Sequence, residues 1–212
     1  MTDALDVAWA IAWITRTSEL VTENRQLLID LDRDIGDGDH GDNLDRGFKA
    51  VVAKLNETPP ANPAEALKLT GMTLVSTVGG ASGPLYGTAY LRGSKEAAET
   101  LDGATLVAVL DAFLQGIAHR GKASVDDKTM VDAWTPAVDA AREASDAGET
   151  PAEVLARAAS GASDGADSAE PLIARKGRAS YLGERSANHR DPGCQSTMLI
   201  LRAAAETAAG QG

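Results

Sequence analysis

Apolar residues return every three or four positions along most of this chain and alternate in no segment, which restricts the backbone to helix. The pattern recurs eight times. It covers residues 4–30, with Val7, Ile11, Ile14 and Val21 toward one face, and 43–55, with Leu44, Phe48, Val51, Val52 and Leu55. It continues from 63 through Leu67, Leu69, Met72 and Val75, then from the loop at 79–84 to about 100. The last four stretches are 104–119, 129–147, the run opening at 150, and 195–209. Local chemistry punctuates them. Thr58-Pro59-Pro60 stops the second, Pro63 suits a first helical turn, and Thr129 is a candidate N-cap. Thr150-Pro151-Ala152-Glu153 has the order of a capping box. Eight helices joined by short turns imply an all-α, antiparallel bundle forming one domain over residues 1–212, without a sheet. Aromatics are only 4% of residues, so the core is expected to consist of Ala, Leu, Val and Ile. The stretch 171–193 is the exception to the helical pattern. It is long, polar and glycine-containing, as functional lids or disordered segments are.

Charge narrows the function. A formal charge of −11 and a pI near 4.7 repel nucleic-acid backbones, so no DNA or RNA partner is expected. A nucleotide is still allowed, because bound cations reverse the local sign. The single cysteine, Cys194, cannot form an internal disulfide and reads as a small inert side chain in a reducing compartment. No leader pattern and no apolar run able to span a bilayer is visible, so the expected location is cytoplasmic, without a membrane partner.

Three loops carry chemistry. Between residues 32 and 42 five carboxylates (Asp32, Asp34, Asp37, Asp39, Asp42) are spaced by Gly36, Gly38 and Gly41. Glycine lets the backbone fold tightly, and carboxylates brought together either stay splayed in water or bind divalent cations. Oxygen-only donors suit Mg²⁺ or Ca²⁺ over zinc, and neither EF-hand register fits. His40 is expected to hydrogen-bond a phosphate or a neighbouring carboxylate. The second loop, Val78-Gly79-Gly80-Ala81-Ser82-Gly83, opens a helix and offers backbone N–H groups to an anion. It lacks the Lys-Ser/Thr of a Walker loop, and alone it also reads as a plain helix–helix turn. The third holds Arg175, Lys176, Arg178, Arg185 and Arg190 against Glu184 and Asp191, a local inversion of sign. Arginine forks suit phosphate oxygens, although a solvated loop has the same composition. Together the three supply what a nucleotide polyphosphate needs. Two magnesium ions against three aspartates leave positive charge to hold a phosphate tail.

At these residues the chain resembles the nucleotide-binding L subunit of dihydroxyacetone kinase. The resembling segments are 32–41 (DRDIGDGDHG), 70–87 (TGMTLVSTVGGASGPLYG), 120–134 (RGKASVDDKTMVDAW) and 174–193 (ARKGRASYLGERSANHRDPG), in family order. The resemblance implies a closed barrel of eight antiparallel helices with the nucleotide, ADP or ATP, at one end. It implies that Asp32, Asp37 and Asp39 bind two Mg²⁺, and that His40, Gly41, Asp42 and Asn43 form the loop meeting the phosphates. Ala81 and Ser82 match the phosphate loop, and Gly121 and Met130 the surroundings of adenine. Arg178 and Asp191, Pro192 and Gly193 match residues closing over the nucleotide. Asp32, Asp37, Asp39 and Arg178 are thus the expected catalytic set, acting by positioning and charge neutralisation. The implied partners are a K subunit that carries dihydroxyacetone and an M subunit that rephosphorylates ADP from a phosphohistidine. An ATP-exchanging kinase for this or another ketose, a fatty-acid kinase module, or a regulator of a transcription factor remain alternatives. Three departures stand out. Asp42 replaces a neutral residue and is expected to face water, Val125-Asp126 replaces Pro-Gly, and Cys194 replaces a small alanine.

Overall fold

The computed structural model describes residues 4–210. They form nine α-helices and one 3₁₀ segment. The α-helices are α1 (Val7–Glu23), α2 (Arg25–Ile35), α3 (His40–Glu57), α4 (Pro63–Thr77), α5 (Ser82–Glu96), α6 (Gly103–Gly121), α7 (Met130–Asp146), α8 (Pro151–Ala169) and α9 (Pro192–Ala209), with the 3₁₀ segment at Arg178–Ser186. The only strand-like pairing among the described residues is an isolated bridge between Leu5 and Leu101.

Eight of these helices close a ring. Each packs on the next in the order α1, α3, α4, α5, α6, α7, α8, α9, and α9 returns to α1. The expected count of eight therefore describes the staves of the barrel. The ninth helix arises because the first apolar stretch splits. Asn24 leaves helical geometry (φ −102°, ψ 10°), and its side-chain amide donates to the Leu20 carbonyl at 2.8 Å, satisfying the end of α1. The chain re-enters as α2, which packs outside the ring on α3 and α9 and extends to Ile35. Asp32, expected in a loop, is therefore on the last turn of a helix.

The interior differs from the expected aliphatic core. Seven of the eight aromatic residues are buried in it, and the eighth, Tyr181, is 90% exposed. Trp9 and Trp13 stack at 5.1 Å between ring centroids. From Trp13 the contacts pass to Tyr90 at 5.8 Å, Phe113 at 4.7 Å and Trp134 at 5.5 Å. A few large rings fill the barrel's axis, while Ala and Gly let the staves approach one another. One close approach uses a proline. Pro136 inside α7 has no N–H to give the Asp132 carbonyl four residues back, and Gly165 of α8 packs on that carbonyl so closely that a Cβ would sit 2.3 Å from it. Indole N–H groups close the ring: Trp9 donates to Ala204 O at 3.3 Å and Trp13 to Ile200 O at 2.9 Å.

The stretch after α8 is ordered. Its 3₁₀ segment kinks at Gly183 (φ +57°), and Ala174, Ala179 and Leu182 form a small apolar cluster on Ile35 at the end of α2. The Ala174 N–H donates to Ser186 Oγ at 2.9 Å, fastening the loop on itself.

Candidate functional site

Because neighbouring staves run in opposite directions, alternate helices begin at the same end. The first turns of α3, α5, α7 and α9 and the last turns of α2 and α6 surround one cavity of about 430 Å³. Four helix N-termini direct backbone N–H groups and positive dipole ends there, a setting that favours an anion.

At the α2–α3 junction the carboxylates of Asp32, Asp37 and Asp39 converge, with one oxygen from each lying within 4.8 Å of the others. Local geometry fixes them. Asp32 Oδ2 accepts the N–H groups of Asp39 at 2.8 Å and His40 at 3.1 Å, which would otherwise be unpaired at the start of α3. Asp39 sits at the N-cap yet makes no side-chain cap, so its carboxylate faces the cluster. Gly36 is required by crowding, since a Cβ there would lie 2.2 Å from Asp32 Oδ1. The other two carboxylates of the loop leave the cluster: Asp34 is exposed, 3.8 Å from His189, and Asp42 pairs with Arg25. Asp42 therefore does not simply face water, and its side chain lies outside the cavity.

His40 lines the cavity but is committed elsewhere. Its Nε2 lies 2.9 Å from Ser196 Oγ, and its ring also bonds the backbone of Pro192, whose only hydrogen-bonding group is the carbonyl. Ser196 Oγ is in turn 2.6 Å from Tyr86 OH, so a buried polar chain ties α3, α9 and α5 together. Burial pushes the His40 pKa down to about 4, against the pull of Asp32, so the ring is neutral. The expected bond to a neighbouring carboxylate is not made by the side chain: the ring takes the Ser196 hydroxyl and the Pro192 carbonyl, and only the backbone N–H reaches Asp32.

The glycine loop leads into α5 at Ser82, which is buried and lines the cavity beside Ala81. Opposite it, Asn43 is 6% exposed; its Oδ1 accepts from Arg46 at 2.6 Å, and its Nδ2 has no partner among the described residues. That Nδ2 is directed at Gly80, where a Cβ would come within 3.6 Å of it and 3.7 Å of Asp39 Oδ1. An unpaired buried donor between a carboxylate cluster and a glycine loop fits a phosphate oxygen. The donor set fits magnesium equally, being all oxygen and three-fold anionic.

The far side of the cavity is apolar. Leu85, Ile117, Met130 and Val131 form a slot, with Gly121 and Arg120 at its edge. Asp191, Pro192 and Gly193 also line the cavity, with Gly193 against Met130, and Asp191 caps α9 by accepting the Cys194 N–H at 2.9 Å. Burial pushes the Asp191 pKa up to about 6, only partly opposed by its Cys194 hydrogen bond and by Lys128. Gly193 is a close approach, since a Cβ would meet Asp191 Oδ2 at 2.8 Å. Over the mouth, Arg178 reaches Asp37, with Lys176 beside it.

Of the residues singled out by sequence, Asp32, Asp37, Asp39, His40, Ala81, Ser82, Gly121, Met130, Arg178, Asp191, Pro192 and Gly193 share this one cavity. Gly41, Asp42 and Asn43 stand behind its wall. Gly41 is needed for packing, as a Cβ there would lie 2.3 Å from the Arg25 carbonyl. Within the basic loop Lys176 and Arg178 face the cavity, whereas Arg190 pairs with Asp167 and Glu170. Sequence reasoning missed Leu85, Ile117 and Val131, which line the cavity but have the spacing of ordinary core positions.

The DAK2 domain family matches residues 34–206. This chain belongs to that family. The ADP-binding subunit DhaL of PEP-dependent dihydroxyacetone kinase 1 from Listeria innocua serovar 6a is 45% identical over 203 residues, which is 95% of this chain and 97% of that one. The ADP-binding subunit DhaL of the PEP-dependent dihydroxyacetone kinase of Escherichia coli K12 is 43% identical over 195 residues, covering 91% and 92%. Among solved structures, the native dihydroxyacetone kinase of C. freundii superposes with a TM-score of 0.72 at 23% identity. That match covers 94% of this chain but 34% of the longer one, and it establishes the shared fold. The DAK2 match begins at Asp34, so it takes in Asp37, Asp39, the glycine loop, the basic loop and the start of α9. No helix of this DAK2 chain, among the described residues, is long and apolar enough to cross a membrane.

Proposed function

We propose that this chain is the ADP-binding subunit of a dihydroxyacetone kinase, passing a phosphoryl group from a phosphohistidine M subunit to dihydroxyacetone on a K subunit. The relatives that it matches almost end to end carry ADP-binding DhaL names. The observation that carries the reading is the meeting of the three aspartates, the glycine loop and Arg178 in one cavity ringed by helix N-termini.

Asp32, Asp37 and Asp39 hold magnesium, and Asp32 is oriented by the two N–H groups that it accepts. When bound, the metal neutralises charge on the terminal phosphates. Ser82 and the first N–H groups of α5 hold a phosphate, with the buried Asn43 amide behind them. Leu85, Ile117 and Met130 pack against the adenine. Arg178 closes the mouth and can turn between Asp37 and phosphate oxygens. His40 is neutral and paired with Ser196, so it is not free to take a proton from a sugar hydroxyl.

Denaturing the freshly purified protein and identifying released nucleotide and metal by mass spectrometry tests this. Retained ADP with magnesium, in about a one-to-two ratio, is expected for the relay. An empty protein that binds ATP–Mg²⁺ weakly would replace the relay by an exchanging kinase; one that binds no nucleotide would overturn the proposal.

A further inference from the structure

We infer that Lys128 is a positioning residue whose buried ammonium fastens both ends of the basic loop 171–191 to the barrel, and so sets how firmly Arg178 is held over the cavity. Lys128 is 1% exposed, yet it lies in a surface connection between α6 and α7. Its ammonium donates to the carbonyls of Ala169 at 3.0 Å and Glu170 at 2.5 Å, the open end of α8 where the basic loop begins. A cation suits that helix end, because its carbonyls lack partners and its dipole is negative. The carboxylates of Asp191, Glu170 and Asp132 offset part of the burial that lowers the Lys128 pKa.

The far end of the loop returns to the same point. The Glu170 carbonyl that accepts Lys128 also accepts the N–H of Asn188 at 2.9 Å. Arg190 bonds the Glu170 carboxylate at 3.3 Å and pairs with Asp167. The loop's start is tied a second time, through the Arg175 N–H to the Asp127 carbonyl at 3.0 Å. Entry and exit of the loop are thus bonded to each other, and Lys128 and Asp127 join that pair to the body. Without them the junction could shift against α7, whose first residues Met130 and Val131 line the cavity.

Backbone strain marks the same place. Four non-glycine residues among those described have left-handed backbone: Lys122 (φ 49°), Asp126 (φ 69°), Lys128 (φ 59°) and Asn188 (φ 62°). Three lie in the connection carrying Lys128, and the fourth is the residue bonded to Glu170. Such conformations persist only where surrounding contacts impose them. Here they turn the lysine inward, and Asp132 holds the turn by accepting the N–H groups of Asp126 at 2.5 Å and Thr129 at 2.7 Å.

The effect on nucleotide rests on the function proposed above; the effect on the loop does not. The test compares the wild type with Lys128→Met and Lys128→Ala, full length, by amide hydrogen exchange without nucleotide, by ADP release, and by Mn²⁺ affinity. Losing a charged, doubly bonded donor should speed exchange across 172–190 and ADP release by about tenfold or more, with Mn²⁺ affinity within about threefold of wild type. Propylammonium added to Lys128→Ala should restore slow exchange and slow release, which a general loss of packing would not allow. A folded variant with unchanged exchange in 172–190 overturns the inference, as does exchange that rises equally throughout the chain. Should neither variant fold, the wild type still decides. The amides of Asn188 and Arg175 should then exchange about as slowly as those of α8, and exchange at exposed-loop rates would overturn the inference. Failure of the wild type to bind ADP would sink the proposed function while leaving the exchange comparison intact.

Discussion

Arg178 Nη2 lies 2.8 Å from Asp37 Oδ2, so the basic loop and the aspartate cluster meet directly across the mouth of the cavity. Both side chains are partly exposed, 64% and 34%, and an ion pair of that kind contributes little to folding. Arg178→Ala should therefore leave the thermal midpoint nearly unchanged. A charge-assisted bond to phosphate is worth about 1.5–3 kcal/mol, so ADP–Mg²⁺ affinity should fall about 10- to 150-fold. Calorimetric titration beside a thermal melt checks both. Equal loss of stability and affinity would mean that Arg178 holds the loop and not the ligand.

The aspartates should show the opposite balance. Three carboxylates within 4.8 Å repel one another, and that repulsion opposes folding until a cation enters. Asp37→Asn should leave the metal-free midpoint unchanged or raised, while abolishing the increase that Mg²⁺ gives the wild type. Nucleotide binding should disappear with it. Gly36→Ala should lose the same increase by another route, because its methyl occupies the space of Asp32 Oδ1. A Mg²⁺ titration followed by melting distinguishes these outcomes from an unaltered site.

Much of this was legible in the sequence because short loops keep their chemistry in order. Asp37 and Asp39, the Ala81–Ser82 turn and the 191–193 turn lie beside helix starts and Asp32 on the last turn of α2, and an antiparallel barrel brings these to one end; which of the five loop carboxylates converge came from the resemblance and not from their spacing. Three features were illegible for physical reasons. The break at Asn24 depends on one side-chain hydrogen bond to Leu20, which apolar periodicity does not register. Leu85 and Ile117 have the spacing of core residues, and only the curvature of the ring leaves them facing a cavity. The aromatic axis was hidden by its low count, since eight rings are few in 212 residues but seven of them converge.

Asp191 should make stability fall with rising pH over a narrow window. Its folded pKa of about 6 lies above the unfolded value of about 3.9, so the folded protein holds the proton more tightly. The stability that this group contributes is complete below about pH 3.9 and is lost, by up to about 3 kcal/mol, as pH rises through 6. His40 acts in reverse: its pKa is lowered to about 4 from 6.5, so its contribution grows with pH across the same interval. Wild-type curves mix the two, and the difference between wild type and Asp191→Asn isolates the aspartate. Asparagine keeps the N-cap and cannot titrate, so the variant should gain on the wild type between pH 4 and 6 and hold that gain at pH 7. Urea unfolding at half-unit pH steps would show it, and parallel curves would contradict the burial of Asp191.

Tyr86 and Tyr90 sit one helical turn apart on α5, both fully buried, and should respond oppositely to loss of their hydroxyls. Tyr86 OH lies 2.6 Å from Ser196 Oγ, 3.2 Å from Thr197 Oγ1 and 3.3 Å from the Gly193 carbonyl. Tyr86→Phe removes the link that carries His40's bond into α5, while Ser196 keeps His40 and both Ser196 and Thr197 keep the Gly193 carbonyl, so the cost should be about 0.5–1.5 kcal/mol. Tyr90 OH has no hydrogen-bond partner among the described residues and lies within the aromatic axis. The folded state already bears the desolvation of that hydroxyl, so Tyr90→Phe should be neutral or stabilising by about 1 kcal/mol. Chemical unfolding of the two variants side by side makes the comparison internal. Equal destabilisation would mean that Tyr90 has a buried water or other partner, and that the centre of the barrel is wetter than its aromatic lining implies.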